Sequence, residues 1–372
     1  MDLLEREETA RFCQTNLNPV EDIVAILFTS GSTGVAKGVQ LTMQNLFKSA
    51  ELMGTRLGCT SQDIVLDPLP CCHAFGMLAG VIMPFTFGGK LLLMEKHSPS
   101  KALSLIESEG ATVHLGVPTM YFRELEELKQ NSRNISTLRA GIVAGAHCPV
   151  SIIEEFDTKY NCKILNSYGS TEAMMVCMSS IDADSVKRYH TSGDALEGVE
   201  ISVLGENGEF VGPNVTGELL VKGEGLMKGY YKLPNETKRV IDDNGWFYTG
   251  DIITVDSSGH IKIVGRKKNM IIRGGNNIYP AQVEEIYYSH PSVLEVCILG
   301  VPDSELGEQT YAFISLKKNS METEESLKKY AEGKIAKYKI PDKIVLLASL
   351  PKLDNGKIDN QTLLKLSEPI TV

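Results

Sequence analysis

Between residues 20 and 170, short apolar, β-branched runs alternate with amphipathic helical patterns, and few architectures accept that alternation. Ile23 to Phe28, Lys90 to Met94, Ala111 to Val117, Leu138 to Ala144 and Lys163 to Leu165 read as buried strands. Gln44 to Leu57, Ser100 to Glu109, Met120 to Gln130 and Val150 to Tyr160 read as the helices that cover them. The pattern predicts an α/β sheet. From about 195 to 265 the texture changes to short β runs with glycine turns, as in Gly217-Glu218-Leu219-Leu220-Val221-Lys222-Gly223, which predicts a β-rich subdomain. After Gly265 come the basic Arg266-Lys267-Lys268, a helix from about Pro280 to Ser289, strands near Val293 to Leu299 and Tyr311 to Leu316, and a helix near Thr323 to Lys337. The expected organisation is a large domain of α/β sheets over residues 1–265, its β-rich part at about 195–265, followed by a small mobile α+β domain over 266–372, with the boundary near Lys268.

The chain has 372 residues, enough for two domains, and a net charge of −10 with no long Lys/Arg run, which argues against nucleic acid or an anionic membrane as its main partner. Its eight cysteines form no CxxC pair and no zinc-like spacing with histidine, and read as reduced thiols. The N-terminus, Met1-Asp2-Leu3-Leu4-Glu5-Arg6-Glu7-Glu8, has no signal-peptide pattern, and no apolar run reaches membrane-spanning length. The cytoplasm is the expected compartment.

Phe28-Thr29-Ser30-Gly31-Ser32-Thr33-Gly34-Val35-Ala36-Lys37-Gly38 is the chain's most chemical segment. Three glycines let the backbone present N–H groups, four hydroxyls add donors, and Lys37 supplies positive charge, a composition suited to a polyphosphate. A P-loop is excluded, because Ala36 stands where that motif needs glycine and Gly38 where it needs a hydroxyl. A flexible hairpin loop without a ligand fits the segment equally well when it is read alone.

Five further segments follow in order: Pro70-Cys71-Cys72-His73-Ala74-Phe75-Gly76, Asn166-Ser167-Tyr168-Gly169-Ser170-Thr171-Glu172, Tyr248-Thr249-Gly250-Asp251, Gly265-Arg266-Lys267-Lys268, and Pro351-Lys352-Leu353-Asp354-Asn355-Gly356-Lys357. Together with the loop they resemble the adenylate-forming superfamily of acyl-CoA synthetases, peptide-synthetase adenylation domains and beetle luciferases, over essentially the whole chain. The resemblance implies an AMP-forming acid–thiol ligase using ATP, Mg²⁺ and CoA, with a carboxylic acid as substrate. It also implies a longer segment before the loop than the two dozen residues found here.

By the same resemblance, Thr29, Ser30, Gly31, Ser32, Thr33, Gly34 and Lys37 cover the β- and γ-phosphates, Tyr168 with Gly169 stacks on adenine, Gly145 and Ala146 line the base, and Thr171 donates to the α-phosphate. Glu172 is the implied metal carboxylate, Asp251 the ribose acceptor, and Arg266 its neighbour on ribose or phosphate. Lys357 is the implied bridge between substrate carboxylate and α-phosphate, Lys268 the hinge, and Gly274 the thin wall beside pantetheine; Asn269 departs from the family's usual aspartate. His73, Gly116, Val117 and Gly141 are candidates for the acyl pocket. Read without the resemblance, Tyr168 is compatible with a core residue, Glu172 with a helix start, Asp251 with a turn, Lys357 with a surface lysine and His73 with a structural imidazole.

No aspartate stands between Cys71 and Gly76 to pair with an amino-acid ammonium, which favours a fatty or aryl acid. Two alternatives stay open: a ligase that loads the pantetheine of an acyl carrier protein, and a catalytically incomplete fragment or nucleotide-binding partner subunit.

Overall fold

The computed structural model describes residues 18, 20–29, 36–352 and 358–367. Ile23–Thr29 (β1) and Lys37–Thr42 (β2) pair antiparallel, with Thr29 opposite Lys37. Helix Met43–Leu57 (α1) begins at Thr42 through a reciprocal cap with Asn45 and stops at Gly58, whose φ of 65° suits glycine. Strand Ile64–Asp67 (β3) is followed by a π-helical turn, Gly76–Ile82, that runs into Met83–Thr86 (α2). Next come Lys90–Leu93 (β4), Pro99–Glu109 (α3), Val113–Gly116 (β5), Pro118–Gln130 (α4), Ala140–Val143 (β6), Val150–Tyr160 (α5), Lys163–Ser170 (β7), Met174–Met178 (β8), Ser185–His190 (α6) and Asp194–Ala195 (β9). They build one seven-stranded sheet in the order β4-β3-β5-β6-β7-β8-β9, parallel from β4 to β7 and antiparallel beyond. α1 packs an apolar core on one face, and α3, α4 and α5 bury a second core on the other.

Glu200–Leu204 (β10), Thr216–Lys222 (β11), Phe247–Val255 (β13) and Ile261–Arg266 (β14) form an antiparallel sheet in the order β10-β11-β13-β14. Gly229–Tyr230 (β12) leaves that sheet and pairs with β2, Tyr230 opposite Val39, before helix Pro234–Val240 (α7). The remaining chain forms Ile271–Arg273 (β15), Asn276–Ile278 (β16), Pro280–Tyr288 (α8), Val293–Asp303 (β17), Gly307–Leu316 (β18), Glu324–Ala331 (α9), Lys343–Leu347 (β19) and Asn360–Ser367 (α10). Its sheet runs β16-β15-β18-β17, with β19 parallel on β18, and the residues from Ile271 onward build cores of their own. The α/β fold class with a β-rich part and a smaller α+β unit is what the structure contains.

Two strand readings need correction. β1 is not buried: Val24, Ile26 and Phe28 point outward and are exposed, Phe28 by 70%, while Ala25 and Leu27 face the core. Both of its faces are apolar in sequence, so periodicity read it as covered; it lies instead at the edge of the three-stranded sheet β1-β2-β12. β4 is the edge of the seven-stranded sheet and exposes Lys90 and Leu93 for the same reason. The helix expected from Thr323 to Lys337 stops at Ala331.

Candidate functional site

Two residues from different strands meet on one carboxylate. The Tyr168 phenol donates to Asp251 Oδ2 at 2.5 Å, and Arg266 Nε donates to Asp251 Oδ1 at 2.8 Å. Strand pairing does the positioning: Asp251 in β13 stands opposite Arg266 in β14, while Tyr168 approaches from the end of β7. Gly250, within β13 where the pairing with β11 is irregular, takes φ 71°, and its N–H donates to Glu218 Oε1. Asp251 is 3% exposed, yet the Arg266 side chain is 54% exposed, so this buried carboxylate faces an open side. Burial and the Asp251 charge hold the Tyr168 hydroxyl well above its ordinary pKa, which keeps it a neutral donor. A carboxylate offers about four lone-pair positions, so two acceptor positions remain after these contacts.

The second cluster lies at the β7–β8 turn. Gly169 lets the strands close, since a Cβ there would come within 2.1 Å of Met174 O. Thr171 and Glu172 are presented half-buried on that turn. Met227 N–H donates to Glu172 O, and the Tyr230 phenol donates to Glu172 Oε1 at 3.0 Å. The Tyr230 ring also carries the Lys37 ammonium, 5.0 Å from its centroid, and that ammonium binds Glu236 Oε2 at 2.7 Å. Asn45 holds the 224–226 segment through its carbonyls, and β12 then pairs with β2, which fixes Tyr230 between Glu172 and Lys37.

Other predicted residues are distributed as follows. Gly145, at φ 86°, and Ala146 form an exposed turn beside Val117. His73 sits in an exposed turn, where its Nδ1 accepts from Phe75 N–H at 3.3 Å. Gly116 and Gly141 turn their Cβ side to Tyr121: a Cβ on Gly141 would meet Tyr121 Oη at 2.5 Å, and one on Gly116 would meet the Tyr121 ring at 3.0 Å. Lys268 lies in an exposed 3₁₀ turn, Lys267–Asn269, between β14 and β15. Gly274 turns the β15–β16 hairpin at φ 53°; its backbone rather than crowding requires glycine, since the nearest atom to an added Cβ is Leu306 Cδ2 at 3.5 Å. Ser30, Gly31, Ser32, Thr33, Gly34 and Lys357 lie outside the described residues.

The sequence profile of the AMP-binding enzyme family matches residues 2–231, and that of the AMP-binding enzyme C-terminal domain matches residues 282–357. The chain belongs to the AMP-binding enzyme family. The medium-chain fatty-acid–CoA ligase of Escherichia coli (strain K12) is 35% identical over 93% of this chain and 61% of its own length. Among solved structures, ATP-bound MatB from Rhodopseudomonas palustris superposes with a TM-score of 0.86 at 31% identity, covering 94% of this chain and 69% of that one. The o-succinylbenzoate CoA synthetase of Bacillus subtilis, bound to its acyl-adenylate, gives 0.82 at 31%, covering 92% and 69%. This AMP-binding enzyme chain thus spans 61% of the length of the curated E. coli relative.

Motif reading of an AMP-binding enzyme does not find Tyr230, Glu236 or Glu218. The signal was present as the tyrosine pair in Gly229-Tyr230-Tyr231 and an acidic first turn in α7, but their relevance depends on the β12–β2 pairing, which is non-local. Among the described residues, no three or more His, Cys, Asp or Glu side chains converge as a metal-binding group. A cation at the β7–β8 turn would rest on Glu172 together with oxygens of ligand and water, a donor set that suits Mg²⁺. No helix among the described residues is long and apolar enough to cross a membrane.

Proposed function

We propose that this chain is an ATP-dependent acid–thiol ligase that makes acyl-AMP and then an acyl-CoA. One observation carries the reading: Tyr168, Asp251 and Arg266 assemble an open-sided hydrogen-bonding group from three different strands, with Glu172 and Lys37 together at a second. In the first step a substrate carboxylate oxygen attacks the α-phosphorus and the bond to pyrophosphate breaks. In the second the CoA sulfur attacks the acyl carbon, AMP leaves, and the thiol proton passes to solvent. The Tyr168 face stacks on adenine, Asp251 accepts from ribose, Arg266 and Lys37 draw the triphosphate into line, and Lys357 stabilises charge between carboxylate and phosphate. Mg²⁺ held at Glu172 would supply charge neutralisation beside the phosphates.

A fatty or aryl acid is the proposed substrate, supported by the medium-chain ligase among its relatives and by the o-succinylbenzoate synthetase among its structural neighbours. The proposed setting is the cytoplasm, where cysteine thiols stay reduced. The test is pyrophosphate release across fatty, aryl and dicarboxylic acids, with CoA or a holo-carrier protein as acceptor. Acid-dependent release that disappears in Lys357→Ala supports the reading; ATP binding with no acid-dependent release by any acid removes it. The exposed apolar face of Val24, Ile26 and Phe28 favours a second reading, in which a partner polypeptide covers β1 and the chain acts as its nucleotide-binding subunit.

A further inference from the structure

We infer that Tyr230 is the positioning residue for the cation site, fixing the Glu172 carboxylate through Oε1 while its ring face seats the Lys37 ammonium, so that one side chain sets both charges that meet the triphosphate. The inference rests on the nucleotide-binding part of the proposed function and assigns a role to a residue outside its motifs.

Tyr230 is only 7% exposed, and its own backbone is held twice: its N–H donates to Thr237 Oγ1 at 2.9 Å, and β12 is hydrogen-bonded to β2. A phenol anchored in this way is a rigid donor. Glu172 is also anchored from behind, because Met227 N–H binds its carbonyl. With Oε1 accepting from the phenol, rotation of the carboxylate is restricted, and Oε2 remains for a cation. A carboxylate that is oriented before the cation arrives loses less freedom on binding, which is how outer hydrogen bonds strengthen metal sites.

The ring adds a second function. Lys37 follows the glycine-rich loop directly and opens β2, and its ammonium lies 5.0 Å from the Tyr230 ring centroid. Removing the hydroxyl and removing the ring are therefore separable perturbations. Tyr230→Phe keeps the face for Lys37 and loses the hydrogen bond to Glu172; Tyr230→Leu loses both.

The experiment is ATP binding by the full chain, measured calorimetrically over graded Mg²⁺ and repeated with Mn²⁺, where the bound ion is counted by electron paramagnetic resonance. In Tyr230→Phe the cation concentration for half-maximal enhancement should rise on the order of 10- to 100-fold, and by linkage the loss of ATP affinity should be larger at saturating Mg²⁺ than without Mg²⁺. Tyr230→Leu should weaken ATP binding in the absence of Mg²⁺ as well. In a Glu172→Gln background, Tyr230→Phe should add nothing, an outcome that a purely structural tyrosine would not give. An unchanged Mg²⁺ midpoint in Tyr230→Phe overturns the inference, as does a full additional effect on top of Glu172→Gln or a wild type whose ATP binding ignores Mg²⁺. None of these readouts needs an acid substrate, so failure of the ligase chemistry and failure of this assignment give different results.

Discussion

Asp251 and Glu124 are both carboxylates removed almost entirely from water, and the fold treats them in opposite ways. Asp251 is held by a phenol and by an arginine that is itself half in solvent. Glu124, on α4, is enclosed: His114 Nε2 lies 2.9 Å from its Oε2 and His97 Nε2 2.8 Å from its Oε1, with His114 fully buried and His97 9% exposed. Burial of an ionisable group therefore does not by itself mark a site in this molecule. Access does: one carboxylate borders a face that a ligand can reach, while the other staples β5 and the 97 loop to α4 behind the sheet.

The sharpest way to break that contrast is to remove each carboxylate and compare stability with binding. Glu124→Ala leaves two enclosed imidazoles without their shared acceptor, and urea unfolding should show a loss of about 3–5 kcal/mol. Burial pushes the Glu124 carboxyl up, but the His114 and His97 contacts outweigh it and hold the group below its ordinary range. Its contribution is accordingly present above the unfolded carboxyl value of about 4.3 and fades as pH falls through the lowered folded one. A Glu124→Ala protein as stable as the wild type would erase the distinction.

Asp251→Asn should do the reverse. Two charge-assisted acceptor contacts to a ligand are worth about 1.5–3 kcal/mol each, so ATP or AMP affinity should fall at least roughly 100-fold. Urea stability should change little by comparison, because the exposed Arg266 can return to water. Retained nucleotide affinity in calorimetry would place the ribose elsewhere.

The contrast also explains what could be read before the structure. Sequence motifs named Tyr168, Asp251 and Arg266, because each lies in a short segment with a chemical signature, and β13–β14 pairing then brought the last two face to face. The seven-stranded sheet was legible as well, since helices covering buried strands leave a periodic trace; α5 runs from Val150 to Tyr160, the predicted range. Glu124 and Tyr230 were not legible. Each depends on partners 10 to 27 residues away for Glu124 and 58 residues away for Tyr230, and no local pattern encodes such a meeting. β1 failed for a different reason: an outward apolar face and an inward one look identical in sequence, and only the strand order reveals which is covered.

Asp67 sharpens the contrast from a third direction, as a buried carboxyl whose burial outweighs the pull of the nearby His114. It is 0% exposed, Oδ1 accepts from Leu69 N–H, and Oδ2 has no hydrogen-bond partner; the glycine at 80 makes room for it, since a Cβ there would stand 1.8 Å from Oδ2. Burial raises its pKa from the ordinary 3.8 to about 6. Between those values the folded state keeps a proton that the unfolded state releases, so stability from this group falls as pH rises from about 4 to 6 and is level above. The total is about 2–3 kcal/mol. Asp67→Asn should flatten that slope in urea titrations run across pH, and an unaltered slope would assign it to another group.

Glu236→Gln tests the smallest effect, at the cation side of the site. Glu236 holds the Lys37 ammonium at 2.7 Å, and that contact draws its carboxyl below the ordinary range. In the ligand-free protein it therefore competes with phosphate for the same positive charge. Solvent-reached ion pairs of this kind are weak, so removing the competitor should raise ATP affinity by no more than about fivefold at low salt. At about 0.5 M salt the difference should be largely gone. A fall in affinity instead would mean that Glu236 orients Lys37 toward the phosphates rather than holding it back. In that case the arginine and the lysine of the site would differ in kind: Arg266 would be free to turn toward a ligand on its own, whereas Lys37 would need both the Tyr230 ring and the Glu236 carboxylate to aim it.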